Sequence, residues 1–264
     1  MLTGTWTSRT GRRLPFMLRE NYQGAVRYEM LATTARGHAC PPDPEMPVQY
    51  AAWQPFAELT HHYLHLLGPD TLRAALGRLQ CPVPARRRTL VRAEARTADH
   101  DCTQVDEDMQ VWLNAYGLLS VSEGEYVNEY NGSRPHAESR QVLYDLRTGR
   151  PLALAEVLRP GADTLLERLA AYHLRREQNS MVDSPPCHTL DSADSIAIRL
   201  PQSGVIFDCQ GILLSYNPGE LGYGACDISD LSIPYTELLS LLRPGSPVAR
   251  MLRARGLWRI GKKQ

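Results

Sequence analysis

Hydrophobic and polar positions alternate with a period of two through much of this chain, and that rhythm predicts most of its elements. In the first 36 residues Thr3, Thr5 and Thr7 interleave with Gly4, Trp6 and Ser8, and Arg9-Thr10-Gly11 supplies a turn. Leu14 to Leu18 and Ala25 to Leu31 continue the β pattern. The stretch from Cys40 to Pro47, CPPDPEMP, lacks too many N–H donors for regular pairing. A second β block runs from about Thr89 to Leu146 as TLVRAEART, MQVWLNAYGLLSVS and SRQVLYDL, with turn chemistry at YNGSRPH and at Thr148-Gly149. Strands recur around Ile196 to Leu200, Val205 to Phe207, Ile212 to Tyr216 and Ile228 to Ile233.

A helical period takes over elsewhere. Residues 50 to 80 read as helical, with Leu72, Ala75, Leu76 and Leu79 at i, i+3, i+4 and i+7 behind Asp70 as N-cap. The clearest helix is 163 to 178, DTLLERLAAYHLRREQ, in which Leu165, Leu166, Leu169 and Leu174 supply an apolar stripe behind Asp163. Thr236 is expected to cap a helix through Leu242. Ser246 and Pro247 open a last one that Gly256 ends. Strands grouped in blocks, rather than alternating with helices, predict an α+β fold. Its sheet is mainly antiparallel with helices packed on one face, in two closely associated subdomains, residues 1–100 and 101–264.

Composition narrows the function. A hydrophobic share of 43% and a charged share of 22% suit an ordinary globular chain. Lys+Arg and Asp+Glu are both 29, so no net field draws the molecule to nucleic acid or anionic lipid. No apolar run reaches the ~18 residues a membrane span requires. Charge is nevertheless segregated. Asp99, Asp101, Asp106, Glu107, Asp108, Glu123, Glu125 and Glu129 lie in a stretch without Lys or Arg. Beyond Glu237 the tail carries Arg243, Arg250, Arg253, Arg255, Arg259, Lys262 and Lys263 and no acid. These are either two solvated faces or, for the first, a patch that recruits a basic partner.

Candidate chemistry is sparse. His61 and His65 fall at i and i+4, a spacing that on a helix suits a metal pair, but no third ligand is indicated. Asp99-His100-Asp101-Cys102 concentrates ligand types, yet alternate residues of a strand face opposite ways. No metal and no cofactor is therefore expected. A nucleophile–base set of Ser120 or Ser133 with His136 and Asp145 lacks a Gly-x-Ser-x-Gly elbow. GELGYG has the glycines of a dinucleotide loop without the strand–turn–helix setting. More informative are Tyr126, Tyr130, Tyr216, Tyr223 and Tyr235, since tyrosine gives amphipathic contact area at low entropy cost.

Several of these features occur together in a familiar order. Tyr130, Gly132 and His136 are followed by Tyr144-Asp145-Leu146 with Thr148-Gly149 and then by the 163–178 helix. Gly211, Tyr216, Tyr223, Gly224 and Ile233-Pro234-Tyr235 complete the series. Residues 105 to 243 thereby resemble the extracytoplasmic domain shared by RsiV-type anti-sigma factors and the non-catalytic part of PdaC-type peptidoglycan deacetylases. Ser133-Arg134-Pro135 replaces the Gly-Ala that precedes the histidine in that family, and no proline follows His136.

The resemblance implies an extracytoplasmic location, with a leader or anchor preceding Met1, and a partner that is a basic protein such as lysozyme or a cell-wall glycan. The expected ligand-binding set is Glu125, Tyr126, Tyr130, His136, Tyr216 and Tyr223. Two classes follow: a binding or sensing module without catalysis, and a hydrolase acting on cell-wall material.

Six cysteines (Cys40, Cys81, Cys102, Cys187, Cys209, Cys226), widely spaced and without a CxxC pair, fit disulfides in an oxidising compartment better than zinc. One bridge is expected among Cys187, Cys209 and Cys226. Thiol titration of the denatured, unreduced protein should then find fewer than six free thiols; finding all six free removes both the bridges and the compartment argument.

Overall fold

The computed structural model describes residues 2–7, 13–18, 23–39, 56–67, 76–77, 103–129, 136–180, 198–217, 220 and 230–258. Strands β1 (Leu2–Thr7) and β2 (Arg13–Leu18) pair antiparallel as a ribbon. The main sheet has six strands in chain order: β3 (Tyr28–Ala39), β4 (Phe56–Leu66), β5 (Thr103–Ala115), β6 (Leu118–Glu129), β7 (His136–Asp145) and β8 (Arg150–Leu152). A smaller sheet has the order β11 (Asp230–Pro234), β10 (Gly211–Ser215), β9 (Val205–Phe207). The helices are α1 (Leu154–Val157), α2 (Ala162–Ser180), α3 (Tyr235–Leu238) and α4 (Pro247–Ala254). The fold is α+β and mostly antiparallel, as expected. The exception is β4 against β5, which runs parallel from Glu58–Gln104 to His61–Glu107. Through that pairing the main sheet continues across residue 100.

The centre of the sheet is the β5–β6 hairpin. Ala115 pairs with Leu118, leaving Tyr116-Gly117 as a two-residue turn with φ of 55° and 79°. Positive φ at both positions is the turn whose twist matches that of paired strands. The sequence pattern runs MQVWLNAYGLLSVS together as one strand because tyrosine is not a usual residue there. Tertiary bonds hold the turn in place. Tyr116 N donates to Gln23 O at 2.5 Å and Gly117 N to Gly24 O at 3.0 Å. A Cβ on Gly24, itself at φ 68°, would stand 2.6 Å from Gly117 N, so only glycine allows this approach. Asn114 completes the clamp, its side chain accepting from Val26 N and donating to Val26 O.

A β-bulge at Trp112 changes which way β5 faces. Val111 is opposite Val121, but Leu113 is opposite Ser120, so one extra residue sits in β5. Before the bulge Met109 joins a core with Val26, Leu64, Leu66, Leu76, Leu119, Val121, Val142 and Tyr144. After it Leu113 joins the larger core on the other face, with Leu118, Leu143, α2, α4 and the small sheet. Both faces of the hairpin end are thus buried, by different parts of the chain.

Four local expectations are corrected. Residues 56–66 form a strand rather than a helix: Thr60 and Tyr63 favour the pleated surface, and β3 and β5 offer edges on both sides. Leu76 is buried at a turn, and Asp70, Leu72, Ala75 and Leu79 lie outside the described residues. No strand forms at 198–200. Helix α3 starts one residue before Thr236, with Pro234 at its N-cap and no side-chain cap bond. Leu165 is 50% exposed, whereas Leu166 is fully buried; the inner face of α2 is Leu166, Ala170, His173 and Leu174, with Leu169 half-buried. His173 Nε2 lies 2.9 Å from Glu237 Oε2 and joins α2 to α3.

The last helix forms as expected. Ser246 Oγ accepts from Ala249 N, Pro247 opens α4, and Gly256 follows its end at φ 71°. Cys209 is exposed and free, and no disulfide is formed among the described residues; Cys187 and Cys226 lie outside them. Leu166→Ala should cost about 2–5 kcal/mol in chemical denaturation, while Leu165→Ala stays within about 0.5 kcal/mol.

Candidate functional site

Away from the hairpin turn, the register builds a charged row across the sheet. Thr33, His61, Glu107, Glu125 and Glu138 stand side by side on β3, β4, β5, β6 and β7. Residues paired in this way project from the same face. Three glutamates on adjacent strands are therefore direct cross-strand neighbours, with His61 Nδ1 against Glu107 Oε2 at one end of the trio. The next row places Glu123 between Met109 and Arg140.

The opposite face carries Asp106, Asp108 and His62, whose Nδ1 lies 3.8 Å and 3.7 Å from the two carboxylates and 3.3 Å from Glu107 O. Tyr126 is opposite Asp106 on that face and is 42% exposed. The acidic stretch expected to form one patch is thus divided by the pleat: Glu107, Glu123 and Glu125 on one side, Asp106 and Asp108 on the other. Asp99 and Asp101 lie outside the described residues.

Of the expected ligand set, Glu125 and Tyr126 are exposed but face opposite ways. Backbone pairing places His136 beside Val127 at the start of β7. Tyr130 and Tyr223 lie outside the described residues. Tyr216 is 7% exposed, with its ring in the larger core. Next to it Asn217 fastens the loop to the sheet, Oδ1 accepting from Ser139 N at 2.9 Å and from Ser139 Oγ at 3.1 Å. Tyr235 is also buried, and its hydroxyl donates to Asp208 O at 3.0 Å.

The residues considered for catalysis or metal have other roles here. His61 and His65 keep their i, i+4 spacing, but along a strand that spans ~13 Å rather than one helical turn. His65 is paired with Glu29 of β3. Asp145 accepts from Arg147 N at 2.9 Å and lies 3.5 Å from Arg250 Nη2, which ties the β7–β8 turn to α4. Ser120 is fully buried and accepts from Phe207 N at 3.1 Å, linking the two sheets. Ser133 and the 99–102 cluster lie outside the described residues. Among the described residues no group of three His, Cys, Asp or Glu is placed to hold a metal ion.

A cavity of about 270 Å³ opens between β7, α1 and the 200–205 segment, lined by Leu143, Leu152, Leu154, Val157, Leu200 and Phe207 together with Gln141 and Gly204. None of its lining residues is titratable. At Gly204, φ 103°, a Cβ would come within 2.8 Å of Gln141 O, where the loop closes on β7.

Sequence reasoning missed Glu138 as a neighbour of Glu125, because Arg134 interrupts the acidic stretch and the pairing depends on a register set by the hairpin. It also missed Glu167 and Glu220, which flank Tyr216 from a helix and a loop far apart in the chain.

This architecture, a six-stranded sheet around a central hairpin with a second small sheet and helices on one face, defines an α+β class with solved members. A DUF3298 family protein from Pseudomonas aeruginosa PAO1 is similar at 16% identity and a TM-score of 0.56, over 85% of this chain and 97% of that one. A member of the DUF3298 family from Bacteroides fragilis NCTC 9343 is similar at 15% identity and a TM-score of 0.56, over 88% of this chain and 98% of that one. At such identities the likeness is one of fold. Comparison with known family models finds no match, and comparison with curated proteins finds none either. No helix among the described residues is long and apolar enough to cross a membrane.

The placement of Ser120 yields a test. Ser120→Ala strands the buried Phe207 N–H and should cost about 1–3 kcal/mol in chemical denaturation. A variant as stable as the parent would show that the hydroxyl does not hold the sheets together.

Proposed function

We propose that this chain is an extracytoplasmic binding or sensing domain without catalytic turnover, and that its ligand is a basic protein, of the lysozyme kind, or a cell-wall glycan. The observation that carries the reading is the row Glu107–Glu125–Glu138. Like charges directly opposite one another on adjacent strands disfavour the sheet. A row of three works against folding, with His61 set against Glu107 at one end, and presents a negative surface to a cationic partner. Such a surface raises the encounter rate with a basic protein, an effect screened over ~10 Å at 0.1 M salt. The structural roles of Ser120 and Asp145 support the non-catalytic part, since both side chains are engaged in holding the fold. Support for the location comes from the sequence resemblance and the number of cysteines.

Glu125→Lys separates the two demands on the row. Placed between Glu107 and Glu138, the lysine should raise stability by about 0.2–1 kcal/mol per new opposite-charge pair. The same variant should bind hen egg-white lysozyme with a slower association rate, and parental binding should weaken with added salt. Salt-independent association, or a variant that binds as fast as the parent, overturns the electrostatic reading. Hydrolysis of purified peptidoglycan by the parent protein overturns the non-catalytic one.

A further inference from the structure

On the other face of the sheet from the glutamate row, the Tyr216 hydroxyl and Glu220 Oε2 are among the polar atoms shut away from water without a hydrogen-bond partner. They lie on one loop. Glu220 N donates to Asn217 O at 3.1 Å, and Asn217 is fastened to Ser139 of β7. Tyr216 packs in the larger core with Leu166, Ala170 and Leu174 of α2. Glu167 shares the Ala170–Ala171–Leu174 side of that helix by its i, i+3, i+4, i+7 spacing and is half-buried. Burial first, then the charges of Glu220 and Glu167, push the Tyr216 phenol above its ordinary range, and both charges acting on it are negative.

In the free protein this arrangement is unfavourable. An unpaired buried hydroxyl costs free energy, and a carboxylate oxygen without a donor costs more. Among the described residues the charges acting on the phenol are the carboxylates of Glu220 and Glu167, with no cation beside them. We infer that Tyr216, Glu220 and Glu167 form a site for a cationic N–H group, an ammonium or a guanidinium, of a bound ligand. A planar guanidinium or an ammonium donates to the phenol oxygen and to Glu220 Oε2 together while its charge balances the carboxylates. A divalent metal is the poorer match, because a neutral phenol is a weak ligand and two carboxylates are too few. The site does not depend on the proposal made above for the glutamate row.

The test uses the full chain with N-acetyl-arginine amide and N-acetyl-lysine amide as cationic probes. N-acetyl-citrulline amide, the same size as the arginine probe but uncharged, is the control. At least one cationic probe should raise the thermal unfolding midpoint, and citrulline should not. Tyr216→Phe removes the orphan hydroxyl: without probe the variant should be as stable as the parent or more so, and its response to the cation should fall at least ~10-fold in affinity, the scale of one charge-assisted hydrogen bond. Glu220→Gln should lose the response while keeping the fold. The inference is overturned if citrulline matches arginine, if neither cation shifts the midpoint, or if Ca2+ replaces them. It is equally overturned if Tyr216→Phe lowers the midpoint in the absence of probe, because the hydroxyl would then have a structural partner.

Discussion

Both cores of this protein are fed by the same two strands, and they can be because one extra residue sits in β5. Side chains of a strand alternate between faces without exception unless the register shifts. With a regular β5, Met109 and Leu113 would project from the same side and one core would lose a leucine to the other. The bulge at Trp112 reverses the parity between them, so Met109 reaches the core shared with β3, β4 and residue 76, while Leu113 reaches that of α2, α4 and the small sheet. Trp112 itself is anchored by its indole N–H, which donates to Ser122 Oγ at 2.9 Å. The segment 23–26 clamped on the hairpin tip and Ser120 bonded to Phe207 N both presuppose this register.

What could be read in the sequence follows the range of the forces involved. The 163–178 helix, the Ser246-Pro247 start, the Thr148-Gly149 turn and strands β9 to β11 are set by local periodicity, capping and turn chemistry, and they stand where expected to within a few residues. The misreadings share a cause in partners distant along the chain. Residues 56–66 extend because β3 and β5 bracket them, and Tyr116 accepts positive φ because Gln23 and Gly24 bond to its turn. Leu165 and Leu166 are equally apolar, and only the docking direction of α2 decides which is covered. The candidate sites were legible as residue types but not as groupings. Glu125 and Tyr126 are adjacent in sequence and therefore part to opposite faces, whereas Glu138 and Glu107 are brought to Glu125 by pairing alone.

Two features of the structure are favourable to no one in the free protein. The glutamate row sets like charges opposite one another, and the Tyr216 loop removes a hydroxyl and a carboxylate oxygen from water without recompense. They lie on different faces and differ in kind, since the first is an exposed field that acts at a distance and the second a buried contact that acts at close range. Several other polar groups that enter the interior are matched: Asn114 to the Val26 backbone, His173 to Glu237, Tyr235 to Asp208 O, Asp145 to Arg147 N. Against these the Tyr216 hydroxyl and Glu220 Oε2 stand out as groups whose chemistry is directed at something other than the fold.

The parallel stretch between β4 and β5 has a mechanical meaning. Outside Glu58–His61 and Gln104–Glu107 the main sheet is two antiparallel ribbons, β3–β4 and β5 to β8, each closed by its own ladder. Parallel bonds are slanted and slightly weaker per residue, and here they are also few. The joint between the two ribbons is therefore the weaker one by its bonding, and bending of one ribbon against the other falls along that line. That line passes directly beside Glu107, one end of the glutamate row, so a load carried by the row reaches the joint between the two ribbons.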